Sequence, residues 1–399
     1  MDTQSVEVAV VGGGPAGLTA AIALAAAGIR TALIAKAPPA DNRTTALLSG
    51  SVAALEALEV WPLCRNESAP LTAIRLIDDT PRLIRAPEVL FEAAEIGLEA
   101  FGHNIENRHL VAALDHRAGA LPRLLRIAAA VTAVEPGEAD VTLRTDGGEP
   151  VRARLVVGAD GRKSPCRAAA GIEIGRRDYL QAALTLNFGH TRPHNGISTE
   201  FHTQTGPFTL VPLPGLRSSL VCVVDPAEAE QLGALDASAL SAEIERRAHS
   251  ILGKVAIEVG RGVFPLGIET AQAFAARRIA LVGEAAHVIP PIGAQGLNLG
   301  LRDAATISEV VVEARRDGAD VGAPEVLARY DRMRRADVAT RTFAVDALNR
   351  SLLSDFLPVQ GARGFGLYLL DRIAPLRRAV MREGVEPAAQ PRLMRGEML

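Results

Sequence analysis

A cluster of glycines near the start of the chain has the spacing of a site for the phosphates of a dinucleotide. Gly12, Gly14 and Gly17 occupy the glycine positions of the pattern G-x-G-x-x-G, with Ala16 between the last two. The first glycine allows a tight turn, the second lets the backbone approach a pyrophosphate, and the third permits close packing of helix on strand. We therefore expect a nucleotide site here; the alternative is a glycine-rich turn without a ligand.

The acidic residue that usually binds the adenosine ribose is missing from the end of the next strand. Ala35 stands at that place and Lys36 follows it. Asp41 is a candidate substitute. The alternatives are ribose contacts made elsewhere in the site, or a site of a different kind.

A second segment, residues 155–167, runs from an apolar stretch into Asp160 and Gly161. It resembles the Asp-Gly fingerprint of the FAD-dependent aromatic hydroxylases of the p-hydroxybenzoate-hydroxylase fold. In that family the segment bridges the pyrophosphate region of FAD and is also linked to the nicotinamide substrate. Asp160 would equally cap the following helix, and the two interpretations are compatible.

A third segment, residues 278–304, resembles the flavin-binding segment of the same family almost position for position. Glu284 stands where most members have an aspartate that binds the ribityl chain of FAD. The turn and helix start beyond it would point free N–H groups at the pyrimidine edge of the flavin, where negative charge develops on reduction. The candidate cofactor contacts in this part are Gly293, Gln295, Gly296 and Asn298.

No side chain is singled out as a catalytic base. The apolar loop with Pro291, Ile292 and Gly293 is a candidate for positioning the reaction and excluding water. His287 is interpreted as a hydrogen-bonded core residue and Cys166 as inert. The sequence contains no Ser/His/Asp triad and no metal-ligand cluster, so we expect no metal site.

Weaker matches at residues 43–61, 107–114 and 198–215 resemble the hydroxylases of ubiquinone biosynthesis more than the phenol or salicylate branches. By that resemblance Arg43 would lie near the FAD phosphates or ribose, and Asn107 would replace a polar residue that contacts the flavin. Phe201, Phe208 and Phe264 are expected in the core of the substrate domain rather than as stacking platforms; the alternative is that one of them lines the pocket.

The elements that must position these residues predict an α/β fold. Buried strands at residues 6–11 and 31–35 flank a helix closed by Gly28, which is a βαβ unit. We expect a discontinuous, Rossmann-like FAD-binding domain, an inserted and mostly antiparallel substrate domain, and C-terminal helices. The predicted limits are 1–70, 100–178 and 265–340 for the first, 71–99 and 179–264 for the second, and 341–399 for the helices.

Composition excludes some classes of protein. A net charge of -3 over 399 residues offers no basic face for nucleic acid. The three cysteines share no CxxC spacing, which favours a reducing cytosol. Residues 8–29 are apolar, but their glycines, Pro15 and the acidic residues before them argue against a membrane span or a signal peptide.

The C-terminal region predicts peripheral contact with the inner face of the membrane. Residues 331–399 contain twelve arginines against eight acidic residues, although the whole chain is slightly acidic. The alternative is that the same apolar stripe packs on the FAD domain. The apolar side chains in question are Phe356, Phe365, Leu367, Tyr368, Leu369, Leu370 and Ile373.

The resemblance implies a monooxygenase that hydroxylates an aromatic substrate, a polyprenylated phenol, through an FAD C4a-hydroperoxide formed with O2. Both NAD(P)H and a ferredoxin-type protein stay open as electron donors, because there is no second dinucleotide fingerprint. Association with other quinone-biosynthesis proteins is a further expectation, and no oligomeric state is predicted. The alternatives are a flavin-dependent reductase of an isoprenoid or quinone and a non-catalytic accessory flavoprotein. A halogenase is disfavoured because Trp61 is the single tryptophan.

Overall fold

The structure, a computed structural model, describes residues 4–37, 41–81, 85–353, 366, 368–370, 372–387 and 389–399. The strands in these ranges, numbered along the chain, are β1 (Gln4–Val11), β2 (Thr31–Ile34), β3 (Thr44–Leu48), β4 (Ser68–Pro70), β5 (Ala73–Asp78), β6 (Val89–Glu92), β7 (Gly102–Glu106), β8 (Leu124–Ile127), β9 (Val131–Pro136), β10 (Val141–Thr145), β11 (Val151–Gly158), β12 (Ile174–His190), β13 (Ile197–His202), β14 (Pro207–Leu213), β15 (Arg217–Val224), β16 (Val255–Ile257), β17 (Gly262–Ala271), β18 (Ala275–Ala276), β19 (Ile279–Leu281) and β20 (His287–Val288). The helices are α1 (Pro15–Ala26), α2 (Ser49–Ala57), α3 (Trp61–Cys64), α4 (Asn107–Gly119), α5 (Pro165–Ala169), α6 (Pro226–Ala234), α7 (Ala237–Arg247), α8 (Gln295–Arg316), α9 (Pro324–Leu353) and α10 (Ala374–Val385).

The first sheet has the order β18-β19-β11-β1-β2-β8, with β9 and β10 attached to β11. β1 runs parallel to β2 and β11, and β11 runs parallel to β19. Residues 8–11 of β1 are almost wholly buried, as expected of a parallel strand covered on both faces. All the carboxyl ends of β1, β11 and β19 therefore lie at one edge of the sheet, where the three glycine-containing segments begin.

The second sheet has the order β20-β17-β12-β15-β14-β13-β5-β6, with β16 attached to β12. Its pairs are antiparallel except for β5 with β13. Phe201 and Phe208 are buried in its core, as predicted. The prediction that Phe264 lies in the core is wrong. The residue is 40% exposed, because this end of β17 has its side chains at the surface, and Arg43 lies over its ring at 5.5 Å from the centroid.

The α/β fold predicted from the sequence is confirmed in the described residues by these two sheets, one with a parallel centre and one largely antiparallel. Two long strands, β12 and β17, pair with each other over residues 174–178 and 267–271 and again, after a register shift, from Ala182. The domain limits proposed at 178/179 and 264/265 fall inside these strands, and the limits themselves stay a prediction.

Long helices follow the third segment, as the sequence indicates. α9 begins at Pro324, earlier than expected, and its Tyr330 hydroxyl donates to the carbonyl of Leu281 at 2.7 Å, which fastens the helix to the first sheet. Phe356, Phe365 and Leu367 lie outside the described residues. A search of the described helices finds none with the length and apolar character needed to cross a bilayer.

Candidate cofactor site

The turn between β1 and α1 has the shape that its glycines predict. Gly12 has φ +120°, and a Cβ there would lie 2.1 Å from the carbonyl oxygen of Ala159. A Cβ at Gly17 would lie 2.2 Å from the carbonyl oxygen of Gly12. By contrast, a Cβ at Gly14 would meet no protein atom within 4 Å, and α1 begins there without a side-chain cap. The turn thus presents free N–H groups to an open cradle that would suit a pyrophosphate.

The end of β2 adjoins this turn, because a Cβ at Gly13 would lie 2.9 Å from the Cβ of Ala35. Asp41, the candidate substitute for the ribose acid, accepts hydrogen bonds from Arg43 at 2.8 Å and from the amide of Asn107 at 2.8 Å. Burial alone would raise the pKa of Asp41, but these partners hold it below its usual value. A carboxylate committed to two protein partners is a weaker candidate for the ribose contact.

Arg43 and Asn107 therefore belong to one cluster. The Asn107 amide oxygen also accepts from the Thr45 hydroxyl at 2.7 Å. The hydrogen bonds to Asp41 raise the pKa of Arg43, and Glu284 adds to this effect, so Arg43 and Glu284 lie within electrostatic reach of each other. The structure brings a residue of the first third of the chain to the third segment.

The Asp-Gly segment contains a buried oxygen atom that no described residue satisfies. Asp160 Oδ2 accepts from the backbone N–H of Cys166 at 2.9 Å, whereas its buried Oδ1 has no hydrogen-bond partner in the described part of the chain. Ser164 caps α5 through the N–H of Arg167. Asp160 can therefore serve both predicted roles, as a cap and as a ligand contact. One oxygen stabilises α5, and the other can accept a hydrogen bond from a ligand. Burial raises the pKa of Cys166 well above its usual value, in line with the prediction that it is inert.

The sequence predicted no role for Arg167, which ends the second segment and joins it to the third. Arg167 Nη1 donates to the carbonyl of Ala285 and Nη2 to that of Arg162, each at 2.8 Å. Arg167 lies six residues after Gly161, and this short spacing is the signal that would have drawn attention to it. It holds the turn with Glu284 against the turn with Asp160.

Small residues bring the first segment to the third. A Cβ at Gly283 would lie 3.2 Å from the Cβ of Ala16, and one at Gly300 would lie 3.4 Å from it. α1, the turn after β19 and α8 therefore approach each other closely. Ala16 is placed as a packing residue between the segments.

Glu284 is exposed on the turn Gly283–Ala285. The turn itself is held from below by Asp303, whose Oδ2 accepts from the Gly283 N–H at 2.9 Å and lies 2.7 Å from His287 Nε2. His287 is buried and hydrogen-bonded, as predicted. The carboxylate of Glu284 is thereby presented on a rigid base, while its own charge stays available to a ligand.

The turn before α8 has an unusual backbone. Gly293 has φ +64° and Ala294 has φ +55°, which is a left-handed conformation that a non-glycine residue adopts at a cost of about 1 kcal/mol or more. α8 then begins at Gln295 without a side-chain cap, so its first N–H groups are free. Ile292 is buried and Pro291 is exposed beside the turn.

Asn298 holds this turn in place. Its amide nitrogen donates to the carbonyls of Ala46 and Ala294, at 2.8 and 2.6 Å. Its amide oxygen accepts from the Leu48 N–H at 2.9 Å and from the Ser51 hydroxyl at 2.6 Å. Both donors and both acceptors of the amide are thus used by the protein. Asn298 is placed to shape the turn rather than to contact a ligand with its side chain.

The arrangement fits an FAD molecule. An open cradle at a helix N-terminus, an unsatisfied buried carboxylate oxygen, an exposed carboxylate and a second uncapped helix start lie on segments that arginine and small-residue contacts hold together. Such a set can bind, in turn, a pyrophosphate, hydroxyl groups and a polar ring edge.

Comparison with known proteins identifies FAD as the cofactor. A family model described as FAD binding domain matches residues 5–344. The chain is 38% identical over 405 residues to the ubiquinone hydroxylase UbiL of Rhodospirillum rubrum, covering 98% of this chain and 92% of that protein. It is 32% identical over 392 residues to the 3-demethoxyubiquinol 3-hydroxylase of Escherichia coli, covering 96% and 99%.

Among solved structures, the p-nitrophenol 4-monooxygenase PnpA of Pseudomonas putida has a TM-score of 0.79 at 19% identity, over 97% of this chain and 100% of that chain, which shows a common fold. The family match covers most of the chain, and the two hydroxylases above match nearly their whole lengths. The chain belongs to the FAD-dependent aromatic hydroxylases, within the family of the ubiquinone hydroxylases.

Proposed function

We propose that this enzyme hydroxylates the aromatic ring of a polyprenylated phenol in ubiquinone biosynthesis, using FAD and O2. The observation that carries the proposal is the convergence of three cofactor segments in a chain that shares 38% and 32% identity with two hydroxylases named for ubiquinone or its precursors. Bound FAD would supply the reduced flavin that activates O2 and transfers one oxygen atom to the ring.

The chain's own residues would bind and orient that cofactor. The N–H groups around Gly14 and the start of α1 would hold the pyrophosphate, with the free Oδ1 of Asp160 beside it. Glu284 would accept hydrogen bonds from ribityl hydroxyls. N–H groups of the turn at Gly293 to Gly296 would face the pyrimidine edge.

Other residues act by shaping the site. Arg43 and Asn107 would close its phosphate or ribose side through their bonds to Asp41. Gln295 and Asn298 fix the carbonyls of Gly293 and Ala294. Ile292, buried next to this turn, would help to keep water away from the reacting atoms.

The test is a reaction with defined components. Purified protein loaded with FAD is reduced chemically and mixed with O2 and a prenylated phenol, and the products are analysed by mass spectrometry. We expect one added oxygen atom, labelled when 18O2 is used. A reduced isoprenoid chain without added oxygen would instead establish the reductase, and reoxidation without any product would establish an accessory flavoprotein. Parallel reactions with NADH, NADPH or reduced ferredoxin identify the electron donor.

A genetic test addresses the substrate directly. Deletion of the gene should cause one quinone precursor to accumulate, and its mass and ring substitution identify the position that is hydroxylated. Complementation with a Gly14→Val variant should fail. An unchanged quinone profile in the deletion strain contradicts the proposed pathway.

We also infer that the enzyme docks peripherally on an anionic membrane through the outer face of α10. Ile373, Leu376 and Val380 are 42%, 42% and 48% exposed, and Arg378 and Arg382 are exposed beside them. The buried side of the helix is fixed by Arg377, which donates to Glu95 at 2.7 Å. An outward apolar face flanked by arginines is typical of a helix that lies in the headgroup region.

Flotation with vesicles tests this inference. Protein should float with phosphatidylglycerol-containing vesicles at low salt, and the double variant Leu376→Ser/Val380→Ser should not. Leu63→Ser is the matched control, because Leu63 is 48% exposed on α3. Equal flotation of wild type and the double variant contradicts docking through α10.

A further inference from the structure

A group of charged side chains lies between α8 and α9, directly behind the turn that begins α8. Arg334 donates from Nε to Asp303 Oδ1 at 2.6 Å and from Nη1 to Asp337 Oδ2 at 2.7 Å. Arg341 Nε donates to Asp337 Oδ1 at 3.0 Å, and Arg302 Nη1 lies 3.6 Å from the same oxygen. These five residues are called the α8–α9 charge cluster below.

The cluster has a surplus of one positive charge. It contains three guanidinium groups and two carboxylates, even when His287 beside Asp303 is counted as neutral. Asp303, Arg334 and Arg302 are buried, whereas Asp337 and Arg341 are partly exposed, so water screens only part of this charge. An uncompensated charge in the interior costs free energy unless another group balances it.

Arg302 carries the least compensated of these charges. The residue is 5% exposed, and its Nε and Nη1 atoms have no hydrogen-bond partner among the described residues. Burial lowers the pKa of Arg302 to about 10, and the neighbouring Arg341 and Arg334 contribute to this shift. A buried cation without hydrogen-bond partners on two of its nitrogen atoms would be stabilised by an anionic group placed nearby.

The cluster is connected to the turn before α8. Arg302 and Arg341 line a small cavity together with Gln295 and Asn298 of the first turn of the helix. Arg341 Nη1 donates to Gln295 Oε1 at 3.1 Å, and Gln295 Nε2 donates to the carbonyl of Gly293 at 3.0 Å. The cluster therefore reaches the uncapped end of α8 through Arg341, while Arg302 lies about 10 Å from Gln295 along the helix axis.

We propose that Arg302 and Arg341 stabilise reduced FAD relative to oxidised FAD, and so raise the reduction potential of the bound cofactor. The inference rests on the proposed placement of the flavin pyrimidine edge at this turn. Reduction adds two electrons and one proton to the ring system at neutral pH, which leaves a negative charge at the pyrimidine edge. That negative charge would balance the surplus positive charge of the cluster. The partial positive charge of the helix N-terminus stabilises it as well.

The two arginines act in different ways. Arg302 acts through its electric field. Arg341 is a positioning residue as well, because it holds Gln295 and through it the carbonyl of Gly293. The positive charges of both arginines favour the negatively charged form of the cofactor, whereas a purely structural contact would affect the binding of oxidised and reduced FAD equally.

The experiment measures the midpoint potential of bound FAD in the holoenzyme, by equilibration with a reference dye. Arg302→Gln should lower the preference for reduced over oxidised FAD by about tenfold, which is about 30 mV for a two-electron couple. Sulfite adds to oxidised flavin and leaves negative charge at the same ring edge, so its affinity should fall by a similar factor. Arg302→Lys keeps the charge and should restore most of both values.

Arg316→Gln is the matched control. Arg316 is an exposed residue of the same helix, about 21 Å from Arg302 along the axis. The midpoint potential of FAD bound to Arg316→Gln, and the sulfite affinity of this variant, should equal those of wild type. If Arg302→Gln does not fold, Arg341→Gln serves in its place with the same expected direction.

The outcomes separate this inference from the proposed function. If the variants bind FAD normally and their midpoint potentials equal that of wild type, the proposed role of the cluster is wrong. The proposed flavin site is not affected by that result. A wild-type protein that binds no FAD refutes the proposed site itself. A lower potential that lysine at position 302 restores supports the inference.

Discussion

The turns that begin α1 and α8 both expose uncapped N–H groups, but they are held by different means. At the α1 turn the glycines are required by backbone contacts. A Cβ at Gly12 would lie 2.1 Å from the carbonyl oxygen of Ala159 at the end of β11, and a Cβ at Gly17 would lie 2.2 Å from that of Gly12. At the α8 turn the side chain of Asn298 ties the helix start to Ala46, Leu48 and Ser51, which come from a distant part of the sequence. The α1 turn depends on one contact within the turn and one with the end of β11, whereas the α8 turn depends on side-chain hydrogen bonds that cross the fold.

Two glycines of the α1 turn should differ most clearly in their roles, one in folding and the other in FAD binding. Gly17→Val should destabilise the fold by more than about 3 kcal/mol, because the side chain would enter the backbone of Gly12. Gly14→Val should leave the apoprotein folded and weaken FAD binding by at least about a hundredfold. Thermal unfolding of both apoproteins and fluorescence titration with FAD measure the two effects. Retained FAD affinity in Gly14→Val would show that this turn is not the cofactor site.

The α8 turn should depend on a buried charge instead. Asp303→Asn should destabilise the protein by about 3–5 kcal/mol at pH 7, because Arg334 would lose its buried carboxylate partner. Urea unfolding followed by circular dichroism measures the loss. Asp331→Asn is the control at a partly exposed carboxylate on α9, which pairs with Arg335 through Oδ2 and accepts from the Phe274 N–H through Oδ1, a bond that the asparagine oxygen can keep. Equal losses in the two variants would argue against a special role for the buried cluster.

Asn298→Ala tests the long-range contacts of the same turn. The substitution removes four hydrogen bonds and leaves the buried hydroxyl of Ser51 without that partner. We expect a loss of about 2–3 kcal/mol in the free energy of unfolding. Flavin affinity should fall as well, since Ala294 would no longer be held in its left-handed conformation. A stable variant with normal FAD affinity would mean that the turn holds its shape without Asn298.

The pH dependence of stability gives a smaller effect of the same origin. Burial alone would raise the pKa of Asp303, but His287 and Arg334 hold it below its ordinary value. The folded state therefore binds this proton less readily than the unfolded state, so its contribution is complete above about pH 4 and is lost as the pH falls further. The free energy of unfolding, measured between pH 3 and 7 in roughly half-unit steps, should decline less steeply with falling pH in Asp303→Asn than in wild type.

The smallest effect is expected where the protein makes no use of the side chain itself. Glu284 is exposed, so Glu284→Ala should leave the apoprotein as stable as wild type. Its affinity for FAD should fall by about tenfold, or about 1.4 kcal/mol, through loss of a charge-assisted hydrogen bond. Glu284→Asp should retain most of the affinity. Equal affinities in wild type and Glu284→Ala would remove this residue from the site.

The sequence by itself determined the βαβ unit, the position of the glycine turns and the family. Gly17 is readable because it packs on Gly12, five residues away along the chain, and Gly12 because its φ of +120° is a local requirement of the turn between strand and helix. The buried strands β1 and β11 are readable for a similar reason: an unbroken apolar run indicates burial on both faces. These features need no knowledge of what lies across the fold.

Only the tertiary structure decided how the segments are joined and which charges are balanced. Arg167 reaches Ala285, Arg334 reaches Asp303, and Asn298 reaches Leu48 across gaps of 118, 31 and 250 residues. The exposed position of Phe264 was missed for the same reason. Compensation of a charge, like burial of a ring, depends on the low-dielectric surroundings and on partners that the chain supplies from elsewhere, and no local pattern encodes either.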